Sequence, residues 1–335
     1  MLMIVSLTVL LLATACEADS GLTLAPGWKA EVVTEWDDDM PDMIAISGDG
    51  KSLFITNETK ANMLSPSLTR VDIASGKKQT LLYGLDRADG IKLDSMGSLW
   101  IGEEVPDGLI YKITDAENFP PEQRFDRDRL ISGHADIEPV IQAGRMAHEG
   151  ISFSRDEQYL YLADEWREGC LFRLSIDHLK LEVLHADKGW LSVTTPNEAR
   201  LRAEVLHCRH FNRLEDLELL PDGRVLLAET GSGTIWILDD SGEQPSISRF
   251  FQHADLYHPD NLEWDTIRSA LWITDDDSPS SLWLWDRQKL TRVASHRFAE
   301  ITGVNSSSNG TVWFNLQHNR FGSDQTISLS AVQEP

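Results

Sequence analysis

Residues 145–165 have the sequence RMAHEGISFSRDEQYLYLADE, which is the pattern of two short antiparallel strands joined by a tight turn. Apolar residues alternate with other residues on both sides of the polar run SRDE, as is typical of a hairpin. Glu149 lies at the start of the first strand, and Asp164 and Glu165 lie at the end of the second. Because the two strands run in opposite directions, the hairpin brings these three acids to one end.

The same pattern of polar residue, apolar strand, turn and second apolar strand occurs six times along the chain. The other five copies begin at residues 41, 88, 214, 259 and 301, with the sequences PDMIAISGDGKSLFITNET, ADGIKLDSMGSLWIGEE, LEDLELLPDGRVLLAET, PDNLEWDTIRSALWITDD and ITGVNSSSNGTVWFNLQH. Most copies are followed by a third apolar strand. Their spacing, roughly 40 to 65 residues, falls in the range of propeller blades.

The repeats predict an all-β fold, a six-bladed β-propeller formed as one domain by residues 27–335. The segment WKAEVVTEW, residues 28–36, is expected to supply the outer strand of the last blade and close the ring, which removes exposed sheet edges. Five aromatic residues share one register in the second strands, and we expect them to pack between blades: Phe54, Trp100, Tyr161, Trp272 and Trp313.

The first fifteen residues, MLMIVSLTVLLLATA, are too short to span a bilayer and resemble a secretory signal peptide. The small residues before Cys16 resemble a bacterial lipoprotein cleavage site, which predicts that Cys16 is lipidated and that residues 17–26 form a linker. The alternative is an ordinary secretory signal cut nearby. Both interpretations place the mature chain outside the cytoplasm, and the first anchors it in the periplasm to a bacterial membrane.

The charge of the chain is strongly acidic, with 54 Asp and Glu against 30 Lys and Arg and a formal net charge of −24. This argues against a nucleic-acid-binding surface. It is compatible with a cation-binding protein, because clustered carboxylates repel one another until a metal or a proton compensates. Solubility alone is the other explanation of the charge.

Two cysteines remain beyond Cys16, namely Cys170 and Cys208. In an oxidising compartment they can form a disulfide, and two buried free thiols are the alternative. Neither lies in a Cys or His spacing that is typical of a zinc site.

The repeats also predict where the acids lie, because the first strand of each propeller blade lines the central channel. Residues at the starts of these strands should converge at one mouth of the channel: Asp42, Asp89, Glu149, Glu215, Asp260 with Asn261, and Thr302. The ends of the second strands return to the same rim with Glu58, Glu103, Glu104, Asp164, Glu165, Glu229, Asp275 and Asp276. The sequence therefore predicts a ring of carboxylates, although any single acid can instead cap a turn or face solvent.

Six to eight carboxylate and amide oxygens are the ligands that Ca²⁺ prefers, and Asn261 fits as a neutral ligand. His148 and His318 are candidates for metal ligands, proton carriers or packed side chains. Arg213 and Arg145 can each hold a substrate anion or, alternatively, stabilise the acids through salt bridges.

At these motifs the chain resembles the PhoX-type alkaline phosphatases, which are metal-dependent propellers of the bacterial periplasm. The resemblance rests on GSLWIGEEVPDGLIYKI, GRMAHEGISFSRDEQYLYLADE, RLEDLELLPDGRVLLAETGSGTIWIL, HPDNLEWD and ITGVNSSSNGTVWFNLQH, in the order of the family. It implies metal-holding roles for Glu104, Glu149, Glu165 and Glu215, and for the pair Asp260 and Asn261.

The family uses iron and calcium, and Asp89 occupies the place of its cysteine iron ligand. A carboxylate is a harder ligand than a thiolate, so this difference favours Ca²⁺ over iron.

The resulting prediction is a monomeric, calcium-dependent phosphomonoesterase acting on a small phosphate ester, with Glu149, Glu215 and Arg213 as catalytic residues. Asp89, Glu104, Glu149, Glu165, Glu215, Asp260 and Asn261 are the predicted metal ligands. One alternative is a lactonase of the gluconolactonase and regucalcin type, because those propellers also place carboxylate and amide ligands at the channel mouth. The other is a non-catalytic propeller that binds a ligand or partner, in which Ca²⁺ only stabilises the ring.

Overall fold

The computed structural model describes residues 21–332 except residues 38, 62, 63, 128 and 133. The expected signal peptide and Cys16 lie outside the described residues. The described residues form six sheets arranged as the blades of a propeller, which confirms the predicted fold. Strand pairing within the blades is antiparallel except for one parallel pair, between Lys78–Tyr83 and Gln123–Asp126. No helix in this part of the chain has the length and apolar character needed to cross a membrane.

Each of the first three blades begins with the strand that lines the channel. Blade 1 contains β3 (Pro41–Ile46), β4 (Ser52–Asn57), β5 (Pro66–Asp72), β6 (Lys78–Tyr83), β10 (Gln123–Asp126) and β11 (Ile131–Ser132). Blade 2 contains β7 (Ala88–Leu93), β8 (Leu99–Glu103), β9 (Ile110–Ile113) and β12 (Ile137–Pro139). Blade 3 contains β13 (His148–Phe153), β14 (Tyr159–Asp164), β15 (Gly169–Ser175), β16 (Lys180–His185), β17 (Gly189–Ser192) and β18 (His210–Phe211).

The N-terminal segment contributes one strand to each of the last two blades. Blade 4 contains β19 (Leu214–Leu219), β20 (Val225–Glu229), β21 (Thr234–Asp239) and β22 (Ser246–Phe251). Blade 5 contains β23 (Pro259–Asp265), β24 (Ala270–Asp275), β25 (Ser280–Trp285), β26 (Leu290–His296) and β1 (Leu22–Leu24). Blade 6 contains β27 (Glu300–Ser306), β28 (Val312–Gln317), β29 (Asp324–Ala331) and β2 (Trp28–Trp36).

Strand β2 pairs with β29 along its whole length, so the N-terminal strand closes the last blade as predicted. The structure differs from the expected linker at residues 17–26, because β1 within that segment pairs with β26 of blade 5. The leucines Leu22 and Leu24 pack against the apolar cluster between blades 5 and 6. The N-terminal segment therefore pairs with strands of two neighbouring blades before the first channel strand of the chain begins.

Helical structure is limited and lies in the connections. The longest helical element among the described residues is α1 (Ala199–Val205), in the segment that joins blade 3 to blade 4. Short 3₁₀ helices occur at Ile141–Ala143, Pro196–Glu198 and Thr230–Ser232. The five aromatic residues of the shared second-strand register are all buried in apolar clusters, in agreement with their predicted packing role.

The first strand of every blade contains a β-bulge close to its ring residue. In blade 2, Ala88 pairs with Glu103 whereas Ile91 pairs with Ile101, so β7 has one more residue than β8 over this interval. Equivalent shifts occur between Pro41 and Ile44, His148 and Ile151, Leu214 and Leu217, Pro259 and Leu262, and Thr302 and Asn305. A bulge redirects the side chains around it, and here it lies at the acid of the repeat in five blades.

Glycines after the ring residues let neighbouring channel strands approach closely. A Cβ on Gly90 would lie 1.8 Å from the carbonyl oxygen of Glu149, and one on Gly150 would lie 2.3 Å from that of Glu215. Only glycine fits where two backbones are this close. Blades 2, 3 and 4 are thereby held in direct backbone contact at the channel mouth.

Candidate metal centre

The ring residues converge on one cavity of about 210 Å³ at the mouth of the channel. We call this cavity the carboxylate cup. It is lined by Asp42, Glu58, Arg87, Asp89, Glu104, Glu149, Arg213, Glu215, Asp260, Asp276, Glu300, Thr302, Gln317 and His318. A larger cavity of about 690 Å³ lies at the opposite end of blades 4 and 5, but Asp222 is the one acid in its lining. A second cavity of about 690 Å³ has four acids in its lining, against nine in the cup, so the number of converging acids distinguishes the cup.

Two groups of carboxylates in the cup have the spacing of metal ligands. One oxygen from each of Asp89, Glu104 and Glu149 lies within 4.8 Å of the others, and the same holds for Glu149, Glu215 and Asp260. Glu149 belongs to both groups, and the other members come from blades 2, 4 and 5. All-oxygen donor sets of this kind suit a hard divalent cation.

The ends of the second strands supply acids of two different kinds. The first acid of each pair turns away from the cup: Glu103 Oε1 accepts hydrogen bonds from the Asp86 amide (2.9 Å) and Arg127 Nε (3.0 Å). The corresponding acid in blade 3, Asp164, accepts a hydrogen bond from Arg200 Nε at 2.8 Å.

Two further acids expected on the rim also accept hydrogen bonds outside the cup. Glu229 accepts a hydrogen bond from Trp236 Nε1, and Asp275 accepts one from Trp283 Nε1. These four acids are therefore engaged in hydrogen bonds within their own blades or with neighbouring segments, outside the cup. The next residue along the chain is the one that faces the cup, as seen for Glu58, Glu104 and Asp276.

Arginine side chains compensate part of the negative charge. Arg213 Nε donates to Glu165 Oε1 at 2.7 Å, and its Nη2 lies 3.0 Å from Glu215 Oε1. Arg87 forms ion pairs with Glu58 and Glu104 on the other side of the cup. The second candidate arginine, Arg145, is instead hydrogen-bonded to the carbonyl of Asp107 at 3.1 Å and does not line the cavity.

Glu165 therefore lies beside the cup as a partner of Arg213, although it is absent from the cavity lining. Asn261 is also displaced from the role expected of it, because its Oδ1 accepts a hydrogen bond from the Gly303 amide and lies 2.9 Å from Thr302 Oγ1. Its Nδ2 donates to Asp260 Oδ1 at 2.9 Å. This geometry gives Asn261 a positioning role between blades 5 and 6, with its oxygen already engaged.

Burial and mutual repulsion raise the pKa values of the cup carboxylates. Burial is the largest cause for each, and it raises the pKa of Asp42 to about 7, with the charge of Glu58 next. Burial followed by the charge of Glu165 raises the pKa of Glu215 to about 8. Burial likewise raises the pKa of Glu104 and that of Glu300 to about 10.

Burial, followed by repulsion from neighbouring acids, raises the pKa values of three further carboxyl groups well above their usual range. These groups belong to Asp89, Glu149 and Asp260. Asp89 Oδ1 is buried and has no hydrogen-bond partner among the described residues. An orphaned buried carboxylate oxygen is costly without a compensating cation or proton. The residues present therefore fit a bound cation.

The two candidate histidines have different environments. His148 is buried, its Nε2 lies 3.0 Å from the Gly144 carbonyl oxygen, and burial lowers its pKa to about 4. It is a packed side chain outside the cup. His318 lines the cup, with Nε2 3.9 Å from Glu58 Oε2.

Three cup residues, Gln317, Arg87 and Glu300, are missing from the sequence prediction, and the last two share a pattern. Arg87 lies two residues before Asp89, at the same offset at which Arg213 precedes Glu215, and both arginines have a positive φ (50° and 60°). Glu300 precedes Thr302 by the same two residues. Aligning the repeats at this offset would have identified both.

A scan against protein-family models finds no match, and no curated protein matches the sequence. Solved structures do match. A gluconolactonase from Xanthomonas campestris superposes with a TM-score of 0.60 at 11% identity, covering 92% of this chain and 91% of that one. A luciferin-regenerating enzyme superposes with a TM-score of 0.59 at 11% identity, covering 91% of this chain and 96% of that one.

An auxiliary nutrient binding protein from Bacteroides thetaiotaomicron gives a TM-score of 0.61 at 11% identity, covering 91% of this chain and 77% of that one. Enzymes and a binding protein thus share this architecture. At such identities the similarity establishes the fold, and the chain is similar in fold to six-bladed propellers of the gluconolactonase type.

Proposed function

We propose that this protein is a metal-dependent hydrolase of cyclic esters, a lactonase, with a hard divalent cation such as Ca²⁺ in the carboxylate cup. The observation that carries the proposal is the pair of carboxylate groups that share Glu149 inside one cavity at the channel mouth. The fold similarity to the Xanthomonas gluconolactonase supports the choice of substrate class.

Asp89, Glu104, Glu149, Glu215 and Asp260 would hold the cation. Lewis-acid polarisation of the ester carbonyl is the chemistry that a hard divalent cation supplies when bound. The chain itself supplies orientation, because Glu149 and Glu215 are fixed on bulged channel strands whose backbones are in contact. A preorganised site of this kind needs little rearrangement during the reaction.

Glu215 is the residue we assign as proton acceptor for the attacking water, through the carboxylate oxygen that does not hold the cation. Its Oε1 lies 3.0 Å from Arg213 Nη2, which holds the carboxylate in place and balances its charge. The Arg213 side chain remains 39% exposed, so it also faces arriving substrate. It is positioned to pair with the carboxylate that ring opening produces.

The test is acid release from a panel of γ- and δ-lactones, using protein stripped with chelator and then supplied with Ca²⁺, Mg²⁺ or Mn²⁺. The proposal predicts turnover that depends on added metal and is lost in Glu149→Gln. Metal binding without turnover of any lactone would remove the lactonase assignment. If the phosphate ester described below is not hydrolysed either, the result would favour a binding propeller stabilised by Ca²⁺.

A phosphomonoesterase is the second candidate, and the two carboxylate groups that share Glu149 favour it. Two such groups can hold a pair of ions, and paired ions are used to stabilise both the attacking and the leaving oxygen in phosphoryl transfer. The same metal series with p-nitrophenyl phosphate separates the two activities. Hydrolysis of the phosphate ester without lactone hydrolysis would make the phosphomonoesterase the first candidate and reject the lactonase.

We also propose that the protein works outside the cytoplasm, anchored in the bacterial periplasm through a lipid on Cys16. The disulfide between Cys170 and Cys208 supports an oxidising compartment. Metabolic labelling with a palmitate analogue in a bacterial host tests the anchor, and Cys16→Ser should abolish the label.

A further inference from the structure

A second cluster of metal-ligand side chains lies at the edge of blade 3, away from the carboxylate cup. One donor atom from each of four residues lies within 4.8 Å of the others: Cys170, Glu204, Cys208 and His210. Cys170 and Cys208 are paired as a disulfide, with their Cα atoms 6.2 Å apart. The cup offers oxygen donors alone, whereas this cluster offers two sulfurs, one nitrogen and one oxygen.

The backbone brings Cys170 to three residues that lie close together in sequence, namely Glu204, Cys208 and His210. Cys170 in β15 is directly paired with His210 in β18. Glu204 belongs to α1, and the Cys208 amide donates to the carbonyl of Ala203 in the same helix. Because strand pairing and helix fix all four positions, the donor set is built into the fold.

The hydrogen bonding of His210 prepares its ring for a ligand. Its Nδ1 lies 2.8 Å from the Glu168 carbonyl oxygen, which can only accept, so Nδ1 carries the proton and donates. In the neutral ring Nε2 then has a free lone pair, and it faces Glu204 Oε2 at 3.6 Å. A backbone carbonyl that fixes the tautomer in this way is the usual partner of a metal-binding histidine.

We propose that Cys170, Cys208, His210 and Glu204 form a zinc site when the disulfide is reduced, so that this cluster alternates between a disulfide and a metal centre. Two thiolates, one imidazole and one carboxylate match the tetrahedral donor sets of Zn²⁺. Cys170 and Cys208 are buried, whereas His210 and Glu204 are 41% and 47% exposed. Zinc therefore has a solvent-facing side from which to enter.

The chemistry balances with a dithiol or phosphine as reductant. Two electrons from the reductant and two protons break the sulfur–sulfur bond and leave two thiols. Zinc binding then releases those two protons as the thiolates become ligands. Reoxidation by a small-molecule disulfide transfers two electrons from the two thiolates to that oxidant, which becomes two thiols on taking up two protons; the Cys170–Cys208 bond re-forms and Zn²⁺ is released. The proposal is independent of the activity assigned to the cup.

The test uses the full chain, reduced with a phosphine, stripped of metal and kept in excess Ca²⁺ so that the cup is occupied. Titration with Co²⁺, a spectroscopic substitute for Zn²⁺, should give sulfur-to-metal charge-transfer absorption that saturates at one ion per chain. The band should be absent from the oxidised protein. It should also be absent from the Cys170→Ser/Cys208→Ser double variant.

His210→Ala should weaken Co²⁺ binding by at least about 10-fold. His207→Asn is the matched control, since His207 is a nearby exposed histidine outside the donor set and its φ of 56° suits asparagine. Equal Co²⁺ affinity in wild type and His210→Ala would show that only the two thiols bind the metal and would overturn the proposal. No charge-transfer band in the reduced wild type would also overturn it.

A second measurement covers loss of folding on reduction. Zn²⁺ should slow re-formation of the disulfide by at least about 10-fold in wild type and less in His210→Ala. If reduction unfolds the chain, Zn²⁺ should restore the far-ultraviolet dichroism of the folded protein. Failure of Zn²⁺ to do either would contradict the proposal.

Discussion

Gly90 of blade 2 lies against Glu149 of blade 3 so closely that a Cβ on the glycine would be 1.8 Å from the Glu149 carbonyl oxygen. This contact brings the acids of two blades, Asp89 and Glu149, into one group of candidate ligands. The geometry of the cup therefore depends on backbone packing between blades as much as on its carboxylates.

Gly90→Ala tests this dependence. The added methyl group meets backbone rather than a flexible side chain, so the blades must separate, and we expect a loss of about 3 kcal/mol in unfolding free energy. Ca²⁺ affinity should fall with it. Gly242→Ala is the control, since its nearest neighbour would be 3.7 Å from the new Cβ. Denaturant unfolding that is unchanged in Gly90→Ala would contradict the contact.

Glu149→Gln tests the shared ligand. Glutamine resembles the protonated acid, and the raised pKa of Glu149 favours that form in the metal-free protein. The metal-free stability at pH 6 should therefore change by less than about 1 kcal/mol. Ca²⁺ affinity should fall by at least about 100-fold, because even changes outside the ligand shell cost about 10- to 100-fold.

Glu103→Gln is the matched control for that variant. Glu103 precedes the cup residue Glu104 but pairs with Arg127 outside the cup. We expect a loss of about 2 kcal/mol in stability from the weakened buried pair and no change in Ca²⁺ affinity. Calorimetric titration of both variants makes the comparison, and equal Ca²⁺ binding in the two would reject the assignment of Glu149.

The pH dependence of stability should be unusual in the metal-free protein. Burial raises the pKa of Asp42 from 3.8 to about 7 and that of Glu215 from 4.5 to about 8. The folded state therefore holds protons that the unfolded state releases. This contribution to stability is complete below about pH 4 and is lost as pH rises through 7 and 8.

The melting temperature in chelator should accordingly fall between about pH 6.5 and pH 8, above the range in which the lowered pKa of the buried His148 acts in the opposite direction. Saturating Ca²⁺ should cancel or reverse the fall. Exposed acids with lowered pKa values, such as Asp49, change the stability only below about pH 4 and do not affect this pH range. Thermal unfolding at constant ionic strength measures the effect. A melting temperature that rises with pH in chelator would show that the cup carboxylates are not forced together.

Arg213→Gln tests the compensating charge. The guanidinium counteracts the burial of Glu215, so its removal should raise the pKa of Glu215 further. The pH at which Ca²⁺ binding is half-maximal should then move upward by about one unit. Arg145→Gln should leave it unchanged, because Arg145 contacts Asp107 outside the cup. If that pH moved by the same amount in both variants, net charge alone would explain the shift and the contact between Arg213 and Glu215 would not.

The propeller and the ring of acids were predictable because the repeats alternate strongly and five of the six place an acid at the same position. The sorting of neighbouring acids was not predictable in the same way. Glu103 and Glu104 differ only in which side of the strand end they occupy, and this is decided by partners distant in sequence, such as Arg127 in the turn between β10 and β11. Asn261 looks like a ligand in sequence, but its oxygen is taken up by the Gly303 amide.

Non-local pairing explains what else was missed. Cys170 and His210 are separated by forty residues in sequence numbering, and only the pairing of β15 with β18 brings them together. Arg87 carried a usable signal in its two-residue offset from Asp89. That signal becomes apparent once the six repeats are aligned at the bulge.

Crystals grown with Mn²⁺ and measured at its absorption edge provide the most direct test of the carboxylate cup. We predict an anomalous peak within about 2.6 Å of carboxylate oxygens from Glu149 and at least two of its neighbours Asp89, Glu104, Glu215 and Asp260. A well-ordered cup with no anomalous peak at saturating Mn²⁺, or a peak bound only elsewhere on the protein, would contradict the account.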